Sequence, residues 1–174
     1  MGLNSQRFVF RKVDWNIVNE GLPVDFLQLR DLFNSSKDLG EFRFIERRQP
    51  ITNEEIRDVW MVSDVAITHW LALSRVDGKL VASTDIRGPS VAGGLPYLNV
   101  FVDLEFHGQG IGTELCKYAL TDALSSHEIE SVLIVTMLDN IQMQQLVERG
   151  LIPYFDIKRI QRDDAVHYHI TREP

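Results

Sequence analysis

The chain has 174 residues, a formal net charge of -7 and a pI near 5.2, with 44% hydrophobic residues and one cysteine. The length and apolar content fit one domain over residues 1–174 with a real core. They exclude a fibre, a disordered chain and a disulfide scaffold. The acidic balance speaks against nucleic acid as a partner, because neutralising phosphates takes a concentrated basic face; an acidic surface would instead favour a cationic substrate through steering. No apolar run approaches the roughly 20 residues that cross a bilayer, and MGLNSQRFVFRK lacks a signal-peptide core. No membrane partner and a cytoplasmic location are therefore expected.

In chain order, Phe8 to Asp14 alternates apolar and polar residues and predicts a half-buried strand. After Gly21 and Pro23, the spacing of Phe26, Leu27, Leu29, Leu32 and Phe33 predicts a helix, with Asp25 near its start. A second helix is expected from Thr52, with Glu55 three residues on as in a capping box. From His69, two strands flank Asp77-Gly78, a hairpin signal that suggests a type I′ turn with positive φ at both residues.

Tyr97 to Gly112, YLNVFVDLEFHGQGIG, then reads as a strand, a short polar turn, and a helix entered through Gly108, Gly110 and Gly112. Alternating glycines let successive N–H groups converge on one concavity, and the helix adds its positive end, which makes an anion site most simply filled by phosphate. Ile111, Leu115, Ala119, Leu120, Ala123 and Leu124 keep helical spacing. Ser131 to Met137 is a nearly continuous apolar strand covered on both faces. Asp139 or Asn140 can cap a fourth helix, with Met143, Leu146 and Val147 inward and Gly150 ending it. YFDIKRI and AVHYHITR close the chain as two strands.

The element order is β, α, α, β, β, β, α, β, α, β, β. With the glycine loop, it resembles the GCN5-related N-acetyltransferase (GNAT) superfamily. The superfamily's acetyl-CoA signature is Arg or Gln, two residues, Gly, one residue, then Gly or Ala. It falls on His107-Gly108-Gln109-Gly110-Ile111-Gly112 and departs at His107. DNIQMQQLVERGL resembles the family's asparagine helix: Asn140 and Gly150 match, while Met143, Val147 and Leu151 replace the usual small residue, Tyr and Phe.

The resemblance implies an α/β (α+β) fold: a mixed, mostly antiparallel sheet of about seven strands, about four helices, and a splay between the fourth and fifth strands. It implies acetyl-CoA as cosubstrate and direct acetyl transfer to an amine in a ternary complex, by a monomer or homodimer. His107, Gly108, Gln109, Gly110, Ile111, Gly112 and Thr113 are expected at the diphosphate; Val100, Phe101 and Val102 would pair with the pantetheine arm and Asn140 would contact it. Asp103 and Glu105 are the carboxylates at the mouth of the fourth strand and candidate bases. Tyr154 is the candidate acid in place of the tyrosine replaced by Val147.

Cys116 reads as a core residue, and His167 and His169, alternate on one strand, lack a third metal ligand of convincing spacing. Trp60, Trp70 and Phe44 could line an acceptor pocket, although the tryptophans read more simply as core. Glu128 or Glu130 stands where a dinucleotide-binding oxidoreductase needs an acid, but the third glycine is misplaced for that fold. A noncatalytic acyl-CoA sensor of the same fold is the other alternative, because Val147 cannot act as an acid.

Overall fold

The computed structural model describes residues 4–13, 26–37, 52, 66–88 and 94–172. A single helical turn, α1 (Asn4–Arg7), leads into β1 (Phe8–Lys12); then come α2 (Phe26–Lys37), β2 (Ala66–Ser74), β3 (Leu80–Arg87) and β4 (Tyr97–Val102). α3 (Ile111–Ser125), β5 (Ser131–Met137), α4 (Ile141–Gln145), β6 (Asp156–Arg162) and β7 (Ala165–Thr171) complete the order. The helix expected from Thr52, and with it Phe44 and Trp60, lies outside the described residues. Among the described residues no helix is long and apolar enough to cross a membrane.

The strands form one seven-stranded sheet in the order β1-β2-β3-β4-β5-β7-β6. Every neighbouring pair is antiparallel except β4 and β5, which run parallel and pair at Tyr97↔Leu133. The ladder ends there, so the two strands part toward their C-terminal ends, as the resemblance implied.

Alternation assigns each side chain to one face of the sheet. On the front face, Leu71, Leu80 and Phe101 pack with Leu29 and Leu32 of α2. On the back face, α3 lays Ile111 and Leu115 over Phe8, Ala72 and Ala82, and its remaining apolar stripe joins Leu98, Val132, Ile134, Val147 and Leu151. Cys116 sits in this layer fully buried, its thiol pushed up to about 12 by burial. Trp70 packs on the same layer and stacks on Tyr118 at 5.0 Å, which places it on the side away from α2.

The β2–β3 hairpin differs from the expected type I′ turn. Ser74 and Lys79 close the ladder, Gly78 N–H donates to the Ser74 carbonyl at 2.9 Å, and Gly78 has φ 71°, whereas Asp77 has no positive φ. The loop is thus four residues long with glycine in the left-handed position, and Asp77 instead accepts from the Lys79 N–H at 3.1 Å.

The fourth helix also differs. It passes into a π turn, Leu146–Leu151, and Gly150 lies inside that turn rather than ending the helix. A Cβ at Gly150 would stand 2.6 Å from Thr113 Cγ2, and one at Gly112 would stand 3.1 Å from Leu146 Cδ1 and 3.2 Å from Val102 Cγ2. Both glycines exist to let α3 and the π turn touch.

The front face of β2 and β3 buries a polar group: His69 lies opposite Asp85, bonds Ser83 Oγ through Nε2 at 2.8 Å, and is 1% exposed. Burial, helped by Arg87, pushes its pKa from 6.5 down to about 3.

Gly150→Ala should destabilise the fold by about 1–3 kcal/mol through overpacking. Adding Thr113→Ala should recover most of that loss in a denaturant-unfolding cycle; strictly additive losses would show that the close approach is not the cause. His69 binds its proton more weakly folded than unfolded, so its contribution is complete above 6.5 and is lost as pH falls toward 3. Compared with wild type, His69→Gln should lose an acid-side slope of up to about 1.36 kcal/mol per pH unit in that window; parallel pH profiles would contradict the assignment.

Candidate active site

The C-terminal ends of β4 and β5 face the starts of α3 and α4, so the gap between the strands opens onto two helix N-termini. β4 ends at Val102, and Asp103 turns the chain by two means. Its Oδ1 accepts the Glu105 N–H at 3.2 Å, capping the 3-10 turn Leu104–Phe106, and its N–H donates to the Val81 carbonyl at 2.8 Å. Gly108 and Gly110 follow with φ of 72° and 77°. At Gly108 a Cβ would meet nothing within 4 Å, so that glycine is required by backbone conformation alone.

The first helical bond of α3 runs from the Glu114 N–H to the Gly110 carbonyl at 3.1 Å, so the N–H groups of Ile111, Gly112 and Thr113 precede the ladder. They form the positive end of a 15-residue helix beside two left-handed glycines. This is a cradle suited to an oxyanion.

The loop's polar side chains are used to hold its shape. His107 turns back on the strand: its Nε2 donates to the Val102 carbonyl at 2.9 Å, and its N–H donates to the Leu104 carbonyl at 3.1 Å. Gln109 donates to the Glu105 carbonyl at 3.2 Å and accepts from Arg7 at 3.1 Å. Asp103, with a side chain 14% exposed, is 2.8 Å from Lys79 Nζ on the hairpin; Glu105, 77% exposed, is 3.8 Å from the same ammonium. The hydrogen bond to Asp103 holds the Lys79 pKa above its usual range, so this cation stays charged. Lys79 was missed in the sequence; its signal was its position two residues after Asp77, at the hairpin end that folds back on β4.

Across the gap, Asn140 caps α4, its Oδ1 accepting the Met143 N–H at 3.0 Å. This fixes the side chain and leaves the Nδ2 amide as a donor. Leu146, in the π turn, and Val100 and Val102 of β4 converge on the space beside Gly112, where a side chain would not fit. Val147 is fully buried.

The structure does not bring Tyr154 to this group. Its ring, 55% exposed, lies under Lys117 Nζ at 3.8 Å on the solvent side of α3. There it lines a groove of about 590 Å³ with Trp70, Lys117, Tyr118 and Asp122. His167 and His169 lie on β7, on the front face, and among the described residues no group of three or more His, Cys, Asp or Glu side chains could hold a metal.

Solved structures of the same fold include a GCN5-related N-acetyltransferase from Kribbella flavida, 15% identical with a TM-score of 0.69, the match covering 97% of this chain and 99% of that one. An N-acetyltransferase from Staphylococcus aureus Mu50 is 11% identical with a TM-score of 0.67, covering 94% and 98%. A Salmonella typhimurium protein solved with its cofactor acetyl-CoA is 11% identical with a TM-score of 0.66, covering 95% and 94%. At these identities the likeness is one of fold. Among curated proteins none matches the sequence. The sequence model of the acetyltransferase (GNAT) family matches residues 27–151, a span that takes in the β4 strand, the glycine cradle and the capped α4; the chain belongs to the GNAT acetyltransferase family.

Proposed function

We propose that the protein is an acetyl-CoA-dependent N-acetyltransferase that acetylates a primary amine of a small molecule or peptide within a ternary complex. The observation that carries this reading is the parting of β4 from β5 directly below the left-handed glycine cradle. A phosphate cradle alone suits many ligands; a cradle continued by a strand-lined slot suits a diphosphate with an extended amide-bearing arm.

Gly108, Gly110, Ile111, Gly112 and Thr113 would hold the diphosphate by backbone N–H groups, and His107 and Gln109 would serve by shaping that backbone. Val100, Phe101 and Val102 offer the strand along which the pantetheine amides extend, and the Asn140 amide faces the arm from the other lip. Acetyl-CoA supplies the acetyl group as a thioester. The chain supplies position, which is worth roughly 7–11 kcal/mol when reacting groups are aligned.

Asp103 and Glu105 lie at the phosphate end of this slot, one beside the cradle and one at its rim. We assign Asp103 to holding Lys79 and the turn, and keep Glu105 as the only exposed carboxylate of the pair. Tyr154, on the solvent side of α3, is released from the acid role, and the departing thiolate takes its proton from water. A noncatalytic sensor would share the cradle; release of CoA thiol with any amine of a panel of polyamines, amino acids, aminoglycosides and peptide N-termini decides for the enzyme.

Gly110→Asp tests the cradle. It places a carboxylate where the diphosphate would lie, at a left-handed position that Asp tolerates better than most residues. At 100 times Kd, acetyl-CoA should stabilise the wild type by about 2.7 kcal/mol and the variant hardly at all; equal thermal shifts in the two proteins would sink the reading.

Asn140→Asp separates the cap from the ligand contact. Asp caps as well as Asn, so the melting temperature of the free protein should hold while acetyl-CoA affinity falls by about tenfold, the worth of one hydrogen bond. Unchanged affinity by calorimetry would remove Asn140 from the site.

A further inference from the structure

The sheet register places one row of side chains across the front face, through the gap. His69 lies opposite Asp85, and Asp85 opposite Asn99. Counting two residues from Tyr97↔Leu133 sets Asn99 level with Val135, and Val135 lies opposite His167, which lies opposite Ile160. Parallel and antiparallel partners share a face, so all six side chains stand on the same side of the sheet. Asn99 and Val135 are the two lips of the gap just beyond the point where it closes, and His167 is one strand, about 4.8 Å, behind the second lip.

This row matters because of how the site must fill, an argument that rests on the acetyl-CoA reading above. With the diphosphate at the start of α3, the arm runs from the open end of the gap toward Tyr97↔Leu133, and the thioester ends near the closed end. The back of both lips is sealed: Leu98, Val132 and Ile134 are buried in the layer under α3 and α4, with Val100 packed against it. The amine therefore arrives on the front face.

Few described groups on the front face could take a proton there. His69 and Asp85 are each 1% exposed, His69 bound to Ser83 and Asp85 to Arg87, which seals both from an incoming amine. Asp103 and Glu105 belong to the phosphate end. His167 and His169 remain, each partly exposed. His169 lies opposite Leu133, where the strands close, while His167 lies opposite Val135, where they have parted.

We propose that His167 is the general base of the reaction, taking the proton from the acceptor amine directly or through one water. The amine nitrogen forms the new C–N bond to the acetyl carbon as its proton passes to the free ring nitrogen of His167. The C–S bond breaks, and the thiolate is protonated by water or by the imidazolium, leaving amide and thiol. On β6, Lys158 and Arg162 stand two residues either side of Ile160, the partner of His167; His169 is two residues along β7, and Val135 faces His167 from β5. Burial first, and then His167, Lys158 and Arg162, lower the pKa of His169.

The test has two arms. In the first, wild-type protein carrying ¹⁵N-labelled histidine is saturated with acetyl-CoA, with no acceptor present; the His167 ring resonances, assigned by their loss in His167→Gln, should shift, and those of His69 should not. If acetyl-CoA stabilises the protein in the melt but leaves His167 unmoved, the base assignment falls and the cofactor reading stands. If the melt shows no binding, both fall.

In the second arm, spermidine, kanamycin, L-phenylalanine and a hexapeptide are offered, and the amine that releases CoA thiol fastest is used. His167→Gln should lower kcat by at least about 100-fold, leave the acetyl-CoA KM within twofold, and remove the acid limb of the kcat/KM profile. Added imidazole should partly rescue His167→Ala, and His169→Gln should stay within a few-fold of wild type. A His167→Gln enzyme that keeps a third of its kcat, or keeps the acid limb, overturns the proposal.

Discussion

Everything at the candidate site depends on β4 and β5 parting after one pair. Two parallel strands that begin in register would ordinarily continue their ladder, since a buried N–H or C=O left without a partner costs about 1–3 kcal/mol. Here the layer behind them resists that closure. Leu146 of the π turn and Val100 and Val102 of β4 all converge on the space beside Gly112, so the helix layer comes up against the back of β4 near its end. Gly150 brings the same turn onto Thr113. The two glycines that look like loop and terminator are, in packing terms, the hinge plate between the helices that flank the slot.

The cradle above the slot is rigid for a different reason. Its turn is capped by Asp103, tied to β3 through Val81, clamped to β4 through the His107 ring, and braced by Gln109. An anion site made of backbone N–H groups works only if those groups already converge, because any reorganisation on binding subtracts from affinity. The side chains that looked available for chemistry are mostly occupied in providing that preorganisation. Lys79 completes the arrangement by balancing the carboxylates that the turn needs, which keeps negative charge from accumulating beside an expected diphosphate.

The front face divides the polar groups by access. On the β2–β3 side His69, Ser83, Asp85 and Arg87 form a sealed cluster whose imidazole stays neutral well into acid. Across the gap, on β7, two imidazoles stand partly exposed among basic neighbours. The same residue type is thus sealed on one half of the sheet and partly exposed on the other.

The sequence by itself determined the order of the seven strands and of the helices α2, α3 and α4, the hairpin, the glycine-entered helix and the asparagine cap, because each rests on short-range rules: alternation, helical spacing and turn chemistry within a few residues. It did not separate the glycines. Gly108 and Gly110 answer to backbone dihedral angles, while Gly112 and Gly150 answer to side chains far away in sequence, and the letters look alike. Nor could it show that His107 faces its own strand or that Asp103 is held by Lys79. The alignment of Asn99, Val135 and His167 came only from the register of three strands, two of them joined by a single pair. Such alignments are set by which strands become neighbours, and that is decided by burial of the whole sheet between its helices rather than by any local pattern.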